Sequence, residues 1–111
     1  MRRPDILRDK RDFKRLYSKG RSVGGKYVVL FQIKNGLDYS RHAFLASKKV
    51  GNSVKRNRAR RLMRESFRNH EDRIKKGYDV LFIARNTIDG VKCGEVEQSM
   101  IAALKKCDLL I

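Results

Sequence analysis

Read for the spacing of its apolar side chains, the chain divides into segments of helical and strand period. Asp9-Lys10-Arg11-Asp12 leads into Phe13, Leu16 and Tyr17 and stops at Gly20, which predicts a short helix with an acidic start and a glycine end. Tyr27 to Lys34 is β-branched and aromatic, predicts a strand, and runs into the turn pair Asn35-Gly36; a second apolar segment follows near His42 to Ser47. The two read as neighbouring antiparallel strands joined as a hairpin, with a connection from Asn35 to Arg41 longer than a two-residue turn.

Helical spacing resumes with Ser53 as a cap and continues to about Lys76, where Gly77 ends a helix of about 36 Å. Its inward face is Ala59, Leu62, Met63, Phe67, His70 and Ile74, and its far side carries Asn57, Arg60, Arg61, Arg64 and Arg68. Tyr78 to Ala84 is nearly continuous in apolar residues, the pattern of a central strand covered on both faces. Val96, Met100, Ala103, Leu104 and Cys107 then repeat at helical spacing between Gly94 and Leu109, predicting a core-covering helix. The order is helix, two or three strands, long helix, strand, helix. That is an α+β sandwich with a small sheet, and 111 residues suit a single domain over residues 1–111.

Charge changes the picture most. The net charge is +16, from 28 basic and 12 acidic residues, with a pI near 10.5. From Arg41 to Arg64 there are nine Lys or Arg residues and no Asp or Glu. A solvated helix mixes both signs for solubility and i,i+4 pairing, so a one-sign run of this kind calls for a polyanion, and nucleic acid fits. Four basic and four acidic residues fall between Leu81 and Ile111, so the final third is neutral and binding concentrates in the first two thirds. No apolar run approaches the roughly 20 residues of a membrane span, and Met1 to Lys10 has no signal-peptide core, so a cytoplasmic protein that needs no membrane is expected. Cys93 and Cys107 lie in no CxxC pair and in no zinc-like spacing; both are expected as unpaired, partly buried thiols, and no metal is expected on the protein.

Catalytic chemistry has no carrier here. No nucleophile, base and orienting group recur together, the acidic residues are scattered, and His42 and His70 read as an ordinary strand residue and a packing residue. Binding chemistry has two carriers. Arginine forks on a rigid helix match phosphate oxygens, with Asn57 on the same face. Phe13, Tyr17, Tyr27 and Phe31, flanked by Lys14, Arg15, Lys19, Arg21 and Lys26, form a second constellation, with Tyr27 and Phe31 on one strand face. It would stack unpaired bases while neutralising their backbone, or else simply fill core.

The run Ser47-Lys48-Lys49-Val50-Gly51-Asn52-Ser53-Val54-Lys55-Arg56-Asn57-Arg58-Ala59-Arg60-Arg61-Leu62-Met63-Arg64-Glu65 closely resembles the signature of the bacterial ribonuclease P protein subunit. Asp12 to Ser22 upstream and Asp79 to Arg85 downstream resemble the same family, so the likeness spans Asp9 to Cys107. The resemblance implies a four-stranded, mostly antiparallel sheet in an αβββαβα order, ribosomal-protein-like, with a left-handed βαβ crossover against the usual right-handed rule. It implies a monomeric protein that joins a catalytic RNA one to one in magnesium-dependent removal of the 5′ leader from precursor tRNA. The RNA would supply catalysis and hold the magnesium. Carried over, the RNA-facing set is Lys48, Lys49, Asn52, Arg56, Asn57, Arg58, Arg60, Arg61, Arg64 and, on the same ridge, Arg68; the leader cleft is Phe13, Tyr17, Ser22 and Phe31 with Lys14 and Lys26. The rival reading is a structural RNA-binding protein with no part in cleavage. A duplex-DNA binder lacks any helix-turn-helix or zinc-finger pattern.

Overall fold

Seven residues, Tyr78–Ala84, set the plan of the molecule, because a strand apolar on both faces has to sit mid-sheet with helices above and below it. The computed structural model describes residues 6–111; residues 1–5, part of the segment expected to lack a signal core, lie outside the described residues. The order is α1 (Lys10–Lys19), β1 (Arg21–Gly24), β2 (Val28–Lys34), β3 (Arg41–Ala46), α2 (Ser53–Arg68), β4 (Tyr78–Ala84) and α3 (Cys93–Lys106), with 3-10 turns at Glu71–Arg73 and Asn86–Ile88. This is the expected αβββαβα order, and the sheet runs β1-β2-β4-β3.

The expected hairpin between β2 and β3 does not form. β4 lies between them, antiparallel to β2 with Phe31 opposite Leu81, and parallel to β3 with Ala43 opposite Leu81. Two of the three pairings, β1 with β2 and β2 with β4, are antiparallel, and α2 is the crossover between the parallel neighbours β3 and β4. Sequence adjacency loses here to burial: β4 has five fully buried positions, whereas half-exposed β3 suits an edge. The Asn35 side chain helps to turn the chain away, donating to the Tyr39 carbonyl at 3.2 Å and to Asp79 at 3.0 Å.

Strand alternation divides the core into two clusters. Val28, Leu30, Val80, Phe82 and Ala84 face α2 and α3, meeting Met63, Phe67, Met100 and Leu104. Phe82 stacks on Phe44 at 6.1 Å and meets Phe67 edge-on at 5.9 Å. The opposite face is thinner: Leu81, Ala43, Leu7 and Leu16 are buried there, with Phe13, Phe31, Ile33 and Ile83 half-buried around them.

Both boundaries of α2 differ from the sequence expectation, and α3 ends at Lys106, short of Leu109. The cap of α2 is Asn52, whose side chain accepts from the Lys55 backbone N–H at 3.0 Å, and Ser53 is the first helical residue. The helix stops at Arg68 rather than near Lys76, because Asn69 and His70 reach across to Glu97 of α3 at 3.0 and 3.2 Å. Beyond that point, Lys75 N–H to Leu109 and Ile111 N–H to Arg73 carbonyl bonds tie the chain to the C-terminal tail. Ile74 is still buried, but through a bridge to Leu110 instead of a helical turn; His70 is half-buried beside Glu97 rather than part of the inward face. The cysteines are both free, Cys107 buried and Cys93 exposed, so only the first matches an unreactive packed thiol. Burial pushes the Cys107 thiol up from its ordinary range.

Candidate nucleic-acid interface

The basic surface is built on α2 and its lead-in. Val50 is buried and anchors the turn that leaves Lys48 and Lys49 exposed. Gly51, at φ +144°, brings the chain so close to the helix that a Cβ there would lie 2.6 Å from Lys55 Cδ. The first turn of α2 holds no acidic residue, and it carries Lys55 and Arg56 where the helix dipole favours anions. Each such mismatch costs a few tenths of a kcal/mol to about 1 kcal/mol in an isolated helix, an arrangement that an external anion would reverse.

Along α2, Ala59, Met63, Ser66 and Phe67 are buried, and Asn57, Arg61, Arg64 and Arg68 stand exposed on the far side as expected. The other members of the predicted set are less free. Arg60 is half-buried and donates to Asn57 Oδ1. Arg56 lies towards the inner face, half-buried, with its Nε out of contact with solvent and lacking a hydrogen-bond acceptor. Arg58 donates to the Val91 carbonyl at 3.1 Å, next to a Lys55–Asp89 ion pair at 3.1 Å, so both lean towards the loop after β4. Asn52 spends its side-chain oxygen on the cap, leaving its amide group outward. Arg68 pairs with Glu65 at 3.3 Å on the exposed surface, a contact worth little in water.

The aromatic set assembles on the other sheet face. Tyr17 of α1 meets Phe31 of β2 edge-to-face, with ring centroids 5.3 Å apart, and Ser22 of β1 stands opposite Phe31 in the strand register. Tyr17 is 49% exposed, and Phe13, one turn earlier, is half-buried. Partial burial holds the Tyr17 hydroxyl above its usual range. Lys10, Phe13, Lys14, Tyr17 and Ser18 border one open concavity. Phe13 also lines a second groove of about 420 Å³, floored by Ala43, Phe44 and Phe67 and rimmed by Arg8, Arg64 and Arg68. The aromatic surface and the arginine ridge therefore meet at Phe13.

Lys26 and Tyr27 do not join this group. Tyr27 precedes β2, its N–H donates to Ser99 Oγ of α3 at 3.3 Å, and its ring packs against the α2–α3 side of the core. The Lys26 ammonium sits 5.4 Å from that ring, on the far side of the sheet from Phe31. Four-residue spacing puts two side chains on one face only while the strand continues, and the strand starts at Val28.

Sequence reasoning missed a set of ions beneath α1. Asp79 is completely buried inside the apolar-looking β4, and Arg41 grips it at 2.8 and 2.7 Å. Arg15 reaches the same carboxylate at 3.3 Å, while Asp12 holds Arg41 at 3.2 Å and Arg15 at 3.7 Å. The grip of Asp79 pushes the Arg41 guanidinium further into its charged form. Arg41, counted in the unopposed run, is thus neutralised internally. The one signal in the sequence was an Asp within a hydrophobic strand. This carboxylate is enclosed by cations and Asn35 and does not suit a divalent metal, and among the described residues no three His, Cys, Asp or Glu side chains converge as a metal site. Nor, among the described residues, is any helix long and apolar enough to cross a membrane.

Comparison with known proteins agrees over the whole domain. A family model described as Ribonuclease P matches residues 1–108. The ribonuclease P protein component of Alkaliphilus oremlandii is 39% identical over 104 residues, spanning 94% of this chain and 91% of that protein. That of Clostridioides difficile is 40% identical over 106 residues, 95% of this chain and 93% of the relative. Among solved structures, the Staphylococcus aureus RNase P protein superposes with a TM-score of 0.88 at 30% identity, covering 98% of this chain and all of that one. The Thermotoga maritima RNase P protein gives 0.82 at 33% identity, over 91% of this chain and 96% of the other.

Proposed function

The chain belongs to the ribonuclease P protein family, and from that membership we propose that it is the protein subunit of an RNA-based endonuclease that removes the 5′ leader of precursor tRNA. In this reading the catalytic groups reside in the partner RNA. The α2 ridge, with Asn57, Arg60, Arg61, Arg64 and Arg68 and the flanking Lys48, Lys49, Asn52, Arg56 and Arg58, binds that RNA through its phosphates. Phe13, Tyr17, Ser22 and Phe31, with Lys14 alongside, take the single-stranded leader by stacking and charge neutralisation. Lys26 is left out of the leader surface because it faces the other side of the sheet. Magnesium belongs to the RNA; the protein strengthens its binding indirectly, by fixing the substrate and screening phosphate repulsion. One protein joins one RNA, in the cytoplasm, with no membrane involved.

A single observation carries the proposal: one domain bears two differently built surfaces, a ridge of arginines and a partly exposed aromatic pair, separated by the sheet edge and meeting at Phe13. A purely structural RNA binder needs only the first. The test is cleavage of 5′-labelled precursor tRNA by a bacterial ribonuclease P RNA at low magnesium, with and without this protein. Cleavage at the mature 5′ end that requires both components is expected, and Phe13→Ala with Tyr17→Ala should weaken binding of leader-bearing precursor while leaving catalytic-RNA association intact. Binding to the RNA without rescue of cleavage would assign the chain to the structural alternative.

A further inference from the structure

The helix that supplies Phe13 and Tyr17 has the weakest apolar attachment of the three. Only Leu16 of α1 is buried, against three apolar residues of α2 and four of α3. Phe13 and Tyr17 pack only partly beside Leu16, so Leu16 acts as a pivot that holds the helix near the sheet while apolar contact fixes its rotation weakly. Around α1, Asp12 and Arg15 fall to one side of Leu16, and Phe13 and Tyr17 to the other. On the first side the ions close a ring: Asp12 to Arg41 at 3.2 Å, Arg41 to Asp79 at 2.7 Å, Asp79 to Arg15 at 3.3 Å, and Arg15 back to Asp12 at 3.7 Å. It joins α1 to two strands, β3 through Arg41 and β4 through Asp79, so it restrains both tilt and rotation.

Burial makes the ring stiff. The Asp79 side chain is fully buried and those of Arg41 and Asp12 are about four-fifths buried, so water and salt compete poorly for these contacts. Asn35 adds a fourth donor to Asp79 at 3.0 Å and completes its shell. Charge-assisted bonds to a buried carboxylate have narrow geometry, and a helix hung on them cannot roll freely.

Building on the leader-cleft reading above, we propose that the ring Asp12–Arg15–Asp79–Arg41 positions α1 about the Leu16 pivot and so sets the pose of the Tyr17–Phe31 aromatic pair against which the leader packs. Asp12 and Arg15 are then positioning residues. They touch no RNA, but they hold the aromatic wall in its binding pose, and the ordering they supply is freedom the leader need not remove on binding.

The experiment uses holoenzyme reconstituted from this protein and a bacterial ribonuclease P RNA, and it measures affinity for precursor tRNA with and without its leader. Asp79 and Arg41 are unsuitable targets, since removing one strands the other's charge in the interior. Arg15 is the most exposed member of the ring and Asp12 touches only the two arginines, so Asp12→Asn and Arg15→Gln leave the Asp79–Arg41 pair in place. Each is expected to cut the leader-dependent gain in affinity about fivefold, with leaderless affinity and catalytic-RNA binding unchanged, and Asp12→Glu to restore part of it. Hydrogen exchange of the α1 amides should quicken in Asp12→Asn while that of α2 amides holds. A full leader gain in both variants, or an equal loss with leaderless substrate, overturns the proposal when Phe13→Ala does abolish the gain. Should Phe13→Ala itself keep the whole gain, the cleft reading is wrong, and the proposal falls with it for that separate reason.

Discussion

Removing Arg61 and Arg64 together tests the ridge most directly. Both are exposed on the outward side of α2. Exposed positions of this kind shift stability by about 0.5 kcal/mol or less, so Arg61→Ala with Arg64→Ala should melt near the wild-type temperature. If each arginine meets one phosphate, the slope of log affinity against log salt flattens by about 0.9 per contact, or roughly 1.8 for the pair. Between 50 and 200 mM salt, a fourfold change, the ratio of wild-type to variant affinity should therefore shrink by about 12-fold. The assay is a titration of labelled ribonuclease P RNA at several salt concentrations. Lys105→Ala with Lys106→Ala, both exposed on α3, removes the same charge away from the ridge and should leave the slope nearly alone. An unchanged slope in the Arg61 and Arg64 variant, or an equal change in the α3 control, would refute direct phosphate contact by the ridge.

Further outcomes follow from single sites. Asn52→Ala removes the α2 cap and should lower stability by about 1 kcal/mol in thermal or urea unfolding, whereas Asn52→Asp keeps the cap and should instead weaken RNA binding by placing a negative charge beside Lys48 and Lys49. Phe82→Ala opens a hole where Phe44 and Phe67 meet and should cost about 3 to 5 kcal/mol, measured by the urea midpoint. The Asp9 cap of α1 is held below the usual carboxylate range by the Arg11 side chain, so its contribution is present at neutral pH and is lost as pH falls through that lowered value. Loosening of α1 amides on acidification, absent in Asp9→Asn, is the expected hydrogen-exchange result. A thiol reagent should label Cys93 quickly in the native protein and Cys107 only after unfolding, because Cys107 is buried and its thiol is pushed upward.

The local elements were legible in the sequence because each is specified by nearby residues. Asp9 and Gly20 bracket α1, the alternation over Val28–Lys34 gives β2, and the apolar run of Tyr78–Ala84 announces a central strand. Strand order was not legible by the residues alone: Asn35-Gly36 looks like a hairpin turn, and only the competition for the sheet centre, won by β4, separates β2 from β3. The end of α2 was misplaced because Ile74 keeps helical phase while being buried by the C-terminal tail. Counting charge along the chain found the ridge but could not tell Arg61, which faces solvent, from Arg41, which is consumed by Asp79. Pairing between residues 38 positions apart leaves no local mark, and the same blindness placed Lys26 with the aromatic cleft.

The position of β4 also orders events in time. It is the last of the four strands in sequence yet an inner one in the sheet, so during synthesis nothing joins the β1-β2 pair to β3 until residue 84 has emerged. Until then the strongly cationic α2 segment exists without the platform that holds it, and its charges repel one another. Non-local pairing of this kind slows folding, and a polyanion that binds only the assembled ridge draws the chain towards the native state by mass action. On the proposed function, the RNA would take part in maturation of the protein as well as accompany it in the finished particle.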